Sequence, residues 1–329
     1  MTATTAAAAL GWLVRDTFRQ ARASRLAWLM LAVSALCILL CLSLRIDGSK
    51  SVHRPGEIEL VAPDEQPLHE PGMRLGRVSL LFGAVRLGVF RDAEAQVHFL
   101  QVLLAEWVAG AAGTLLALVW TAGFLPEFLR PDAAAVLLAK PVRRRTLLLG
   151  KSLGVLAFVA FQAVLFIGGT WLALGVRTGV WRPGYLWSIP LLTLHFALVY
   201  AASVLLAVCS RSTVVAAFGS IVFWALCFGL NFGRHAAVAL AATRHGVIGQ
   251  ARGFGRAVEA IYWVLPKPAD LMILLDRAVL ARDHFAAPAE FEAVQRLGAF
   301  HPALSVLSSA LFAVALLAVA ARELELTDY

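Results

Sequence analysis

A chain of 329 residues that is 60% apolar and only 15% charged, with mean hydropathy +0.76, is too apolar for a soluble globular protein. The net charge of +8 and pI near 9.9 would fit a nucleic-acid binder only if the basic residues clustered in a polar domain with stacking aromatics. They bracket apolar runs instead, so the expected fold class is an all-α integral membrane protein forming one transmembrane domain.

Residues 8–25 read as an amphipathic helix. Leu10, Leu13, Val14, Phe18 and Ala21 share one face, and Arg15, Arg19 and Arg22 share another. With nothing evident to cover the apolar face, the helix is expected to lie flat in the membrane interface with its arginines at anionic headgroups. Six runs are apolar enough to span: Leu26–Leu44, Val102–Leu125, Leu153–Leu174, Leu186–Val208, Val214–Leu230 and Ala303–Ala321. The fifth is the shortest. No cleavable signal precedes the first, which is span-length and lacks a small-residue cleavage site after it.

Between the first and second spans, Arg45–Gln101 starts polar and rich in turn formers, at Asp47-Gly48, Pro55-Gly56 and Pro71-Gly72. Its apolar-alternating part, residues 77–90, fits a hairpin turning near Gly83-Ala84. The long segment Asn231–Pro302 holds three stretches too short or too polar to span: Ala236–Ala242, Ala257–Leu265 and Leu271–Leu280. Pro266-Lys267-Pro268 breaks the second from the third. Short helices folded back at the outer face are the simplest reading.

Basic residues set the orientation. Arg15, Arg19, Arg22 and Arg25 precede the first span, Arg130 to Lys151 separate the second and third, and Arg211 links the fourth and fifth. The positive-inside bias makes these faces cytoplasmic, and six spans then return the C-terminus to the same side as the N-terminus. All four cysteines, Cys37, Cys41, Cys209 and Cys227, fall within or at the edge of spans, and no metal-ligand spacing is present.

Residues 126–152 form the cytoplasmic stretch with the most internal order. Pro131 and Pro141 frame a short helix, with Asp132 at its positive end and Lys140 at its negative end. That helix would be about 15 Å long. It offers Val136, Leu137 and Leu138 to a partner or to the spans, and Arg143, Arg144 and Arg145 follow at the membrane surface. A topogenic loop needs the charge but not the capped helix, so docking of a cytoplasmic partner is the favoured reading.

Glu127, Leu137-Leu138, Pro141-Val142, Arg143 to Arg145 and Gly150-Lys151, in that order, resemble the cytoplasmic segment of the six-span permease subunits of ABC exporters, the ABC-2 family. The resemblance covers the whole chain in architecture. It implies an N-terminal interfacial elbow helix, a cytoplasmic coupling helix between spans two and three, and short external helices before the last span. Where the family often carries Gly-Thr after the glutamate, this chain reads Leu129-Arg130-Pro131-Asp132. What the resemblance implies is a permease without enzymatic activity of its own, in a bacterial cytoplasmic (inner) membrane. It would pair with a second permease or a copy of itself and be driven by a separate ABC ATPase that holds ATP and Mg. The transported substrate is not implied.

Gly150-Lys151-Ser152 imitates the end of a phosphate-binding loop, but Arg145 stands where that motif needs glycine. No nucleotide site is expected in this chain. Gly150-x-x-x-Gly154 and Gly110-x-x-Gly113 with Thr114 offer small surfaces for close helix packing. Glu106 near the outer end of the second span, Gln162 in the third and His195 in the fourth are polar at membrane depth. Gln162 and His195 are candidate pathway-lining residues, with interhelical hydrogen bonding as the alternative. A membrane-embedded enzyme using His195, Glu106 or external histidines is the rival function, and a non-transporting assembly or sensor subunit is a second.

Overall fold

The computed structural model describes residues 3–47, 76–89, 93–124, 144–243, 252–279 and 288–326. It contains six helices long and apolar enough to cross a membrane, which gives the chain the character of an integral membrane protein.

Helix α1, Ala3–Ala23, is followed after Ser24 by the first span, α2, Arg25–Ser43. The chain leaves α2 directly into β1, Arg45–Asp47, which pairs antiparallel with β2, Gly76–Leu80. Strand β2 pairs in turn with β3, Val85–Val89, from Gly76↔Val89 to Leu80↔Val85. The expected hairpin is present, and its turn needs Gly83, whose φ of +99 lies where side chains are disfavoured. This three-stranded sheet, in the order β1-β2-β3, departs from the all-α expectation. The residues after α2 pair edge to edge instead of coiling in solvent, which satisfies their backbone polar groups.

The second span, α3, runs through Ala93–Val102, a π-helical stretch Leu103–Gly113, and Thr114–Ala122. The third, α4, combines Arg144–Ala163, a π turn at Val164–Gly168, and Gly169–Thr178, closed by Gly179 in the left-handed region. A short 3₁₀ turn, Pro183–Trp187, leads into α5, Ser188–Ser210. Span α6, Thr213–Thr243, is an unbroken α-helix of 31 residues. The expectation that the fifth span stops at Leu230, with Ala236–Ala242 as a separate piece, is thereby corrected: the helix continues unbroken through Asn231, Arg234 and His235. Helices α7 (Arg252–Val264), α8 (Pro268–Ala278) and α9 (Ala289–Arg296) follow, and the last span, α10, is Pro302–Leu326.

Span α5 is central. Its apolar window is 61% buried within the protein against 17% for α6, so α5 packs on protein on most sides while the rest of the chain leaves most of that α6 window uncovered. Around α5 the interior divides along the membrane normal. One cluster gathers Met30, Leu148, Val155, Phe196, Tyr200 and Val204 towards the end that carries Arg144 and the start of α2. A second gathers Cys41, Val97, Leu104, Phe166, Tyr185 and Leu192 towards the opposite end. Beyond it, Ala269, Ile273, Phe291, Val294 and Phe300 form a separate small core with Phe228 and Phe232 of α6. Helices α7 to α9 thus make a cap over the far end of α6 and α10.

Candidate functional site

At the basic end, α1 lies along the first turns of α4. Glycine allows this approach: a Cβ at Gly150 would overlap Leu13, and one at Gly154 would overlap Thr17. The expected small surface at Gly150-x-x-x-Gly154 therefore receives α1. Lys151 sits between the two glycines and is 3% exposed. Its ammonium lies 3.4 Å from Asp16 Oδ2, hydrogen bonds Gln20 Oε1 and stands 5.2 Å from the ring centre of Phe124. Phe18 adds an edge-on contact to Phe158 at 5.5 Å. The last turn of α10 grips α4 from elsewhere, with Arg145 paired to Glu325 at 2.5 Å and Arg144 Nη1 donating to Leu324 O at 3.4 Å.

Leu13 and Ala21 are buried on α4, Leu10, Val14 and Phe18 are half-buried, and Arg15, Arg19 and Arg22 are exposed. The apolar face of α1 therefore has a partner within the protein, contrary to the premise that only lipid could cover it. Of the expected docking residues, Arg144 and Arg145 open α4. Glu127, Arg130, Asp132, Val136, Leu137, Leu138, Lys140, Pro141 and Arg143 lie outside the described residues.

The far end holds a polar cluster that the sequence reading did not assemble. Pro268 starts α8, and Asp270 falls in its first turn, where a carboxylate complements the helix dipole. Asp270 is fully buried. One carboxylate oxygen accepts from Asn231 Nδ2 at 3.1 Å and meets His235 Nε2 at 2.7 Å. The other accepts from Tyr262 OH at 2.7 Å and from Ser305 Oγ. The backbone N–H of Asp270 returns a bond to Asn231 Oδ1 at 3.0 Å. A single carboxylate thus joins α6, α7, α8 and α10.

Two cations and a second carboxylate surround it. Arg234 makes a two-pronged pair with Glu259 at 3.0 and 3.1 Å, donates to Ala299 O at 3.1 Å and lies 4.3 Å from the centre of the Tyr262 ring. Lys267 donates to Ser308 Oγ at 2.7 Å and to Leu265 O at 3.3 Å, and its ammonium sits over Tyr262 and Trp263. Arg234 and Lys267 thus balance Glu259 and Asp270 in sign, a condition for burying charge at tolerable cost. Burial pushes the Asp270 carboxyl up, but hydrogen bonds from His235 and Ser305 outweigh it and hold the group below its ordinary value. Burial brings Lys267 down to about 8, opposed by the nearby Asp270 charge. For Glu259, burial is outweighed by the Arg234 bonds, and the net direction is downward.

Histidine, serine and aspartate meet here, but not as a catalytic relay. Ser305 donates to Asp270, not to His235, and all three side chains are closed to solvent. The arrangement fixes four helices against each other. Asn231, Arg234 and His235, spaced i, i+3 and i+4 on one helix face, were the readable signal.

The remaining candidates are scattered. Gln162 Nε2 donates to Met30 O at 3.0 Å and to Ser34 Oγ at 2.7 Å, so its amide pins α4 to α2. Glu106, in the π-helical stretch of α3, stands beside Asp276 of α8. His195 is half-buried on α5 beside Trp224. Among the described residues, no group of three or more His, Cys, Asp and Glu side chains could hold a metal ion. No protein-family model and no curated protein matches the chain.

Proposed function

We propose that the chain is the membrane-spanning permease subunit of an ABC-2 type exporter, paired with a second permease in a bacterial cytoplasmic membrane. Both termini lie in the cytoplasm, and a separate ATPase subunit holds ATP and Mg. One observation carries the reading: the first turns of α4, directly after the basic segment, are gripped by α1 on one side and by the end of α10 on the other. A push on residues 126–143 therefore has a solid body to act upon. Exposed Arg15, Arg19, Arg22 and Arg25 supply the anchor, each contributing about 1 kcal/mol where it meets anionic headgroups.

Among the described residues the enzyme reading finds no nucleophile beside a base, since Ser305 and His235 meet only through Asp270. The lever has a direct test. Replacing Leu137 or Leu138 with glutamate is expected to preserve insertion yet abolish the ATP-dependent change in distance between spin labels on α4 and α5. An unchanged ATP response in those variants rules the lever out.

A further inference from the structure

The sheet that follows α2 ends in a tip that combines two unfavourable choices at one residue. Phe82 lies in the single 3₁₀ turn Leu81–Gly83 between β2 and β3, with φ of 56° and ψ of 28°. That is the left-handed region, which the Cβ of a bulky residue disfavours, and a hairpin turn in water would favour glycine or asparagine there. The Phe82 side chain is also 80% exposed.

Exposure of a single apolar residue is ordinary; the position of this one is not. Strand β1 leaves the end of α2 at Arg45 and runs to Asp47. Strand β2 returns antiparallel, with Arg77 opposite Asp47 and Ser79 opposite Arg45. Ser79 Oγ donates to Arg45 O at 3.2 Å, fixing that register. The chain therefore travels along β2 back towards the membrane, and Phe82 follows three residues beyond Ser79. At about 3.3 Å per residue, the tip passes the level of Arg45 by up to roughly 10 Å. The turn packs against the spanning helix α2 itself, so it points back along that helix and not out into solvent.

An exposed ring beside a spanning helix, past that helix's polar exit, faces lipid. The backbone of a turn cannot be left bare in hydrocarbon, which places the turn at the boundary between headgroups and acyl chains and lets only the ring go deeper. Arg45, Ser79 and Arg86 share one register row behind the tip, and two basic residues in that row suit the level of lipid phosphates. A protein partner fits less well, because a three-residue turn is far smaller than the roughly 1,200 Å² that a specific interface buries.

We propose that the β2–β3 turn is a lipid anchor, whose Phe82 ring enters the acyl region of the bilayer beside the end of α2 and holds the sheet against the membrane surface. This anchor does not depend on the permease reading.

The test uses the unmodified full chain in phosphatidylcholine nanodiscs, without any ATPase. Part of the lipid carries a diazirine in its acyl chain, a parallel sample receives a water-soluble diazirine instead, and mass spectrometry locates the adducts. The acyl probe is expected to label the turn at residues 81–84, and the aqueous probe to label it little. Phe82→Glu should lower acyl labelling of the turn severalfold and raise aqueous labelling, whereas Phe82→Trp should behave as the parent. Acyl labelling at Leu39 and Leu40, exposed near the end of α2, should be unchanged in both variants and so report intact insertion. A turn labelled by the aqueous probe alone would place Phe82 in water, and a turn labelled by neither would place it under protein. Either result, or a Phe82→Glu variant that labels like the parent, would overturn the anchor and leave the permease reading to its own test.

Discussion

The basic end and the far end of the bundle are both places where helices meet through buried polar groups, yet they are built in opposite ways. At the basic end, α1 meets α4 across two glycines and one enclosed lysine, whose partner Asp16 is itself partly open to solvent. At the far end, one carboxylate takes hydrogen bonds from three other helices, and a balanced set of charges is closed off around it. The first joint rests on shape and a few exchangeable contacts. The second rests on bonds that must all be kept, because each orphaned partner would be stranded in apolar surroundings. Removing a single polar contact should therefore disturb the far joint more than the basic one.

The sharpest way to break that contrast is at Asp270. Asp270→Leu strands Asn231, His235, Tyr262 and Ser305 and unbalances Arg234 and Lys267. It should cost about 3–5 kcal/mol, read as a lowered unfolding midpoint in detergent micelles, with the α7–α9 segment becoming sensitive to protease. A next, smaller effect is expected from overfilling the basic joint. Gly154→Leu should cost about 1–3 kcal/mol and expose α1 to cleavage, whereas Gly233→Ala, with open space around it, should do neither.

Acidity sharpens the comparison further. Asp270 ionises more readily in the folded protein than unfolded, so its stabilisation is complete above the ordinary carboxylate range and is lost as pH falls through and below it. Lys267 runs the other way: held near 8 when folded against an ordinary 10.5, it binds fewer protons folded than unfolded in that window. Stability should therefore rise with pH between about 8 and 10.5. Subtracting the pH profile of Lys267→Met from that of the parent isolates this slope, and a flat difference would contradict the burial of the ammonium. The smallest effect is expected at Lys151→Met. An apolar side chain of similar length fills the same space, and the unfolding midpoint should move by the equivalent of less than about 1 kcal/mol.

The membrane character of the chain was legible because it depends on long apolar runs, and the first span, expected over Leu26–Leu44, is the helix Arg25–Ser43. The hairpin around Gly83 was legible from alternation and a turn former. The extent of α6 was not. Asn231, Arg234 and His235 lower local hydropathy and read as the end of a span, but they are buried because Asp270, Glu259 and Ala299 O, all distant in sequence, satisfy them. Helix α9 escaped notice because its eight residues carry Glu290, Glu292 and Arg296 and present only Phe291 and Val294 to the cap core. Gln162 and His195 looked alike in sequence; only the fold separates them, giving the amide of Gln162 to α2 and leaving His195 at a crevice.

The central claim, that this chain works with a separate ATPase docked beside α4, is tested most directly by purifying the tagged chain from its native membranes in mild detergent and identifying what accompanies it by mass spectrometry. The account predicts a stoichiometric soluble ATPase, lost when Leu137 and Leu138 are replaced with glutamate and retained in Trp224→Phe. A preparation with no ATPase, or an ATPase that stays bound to the glutamate variant, would contradict it.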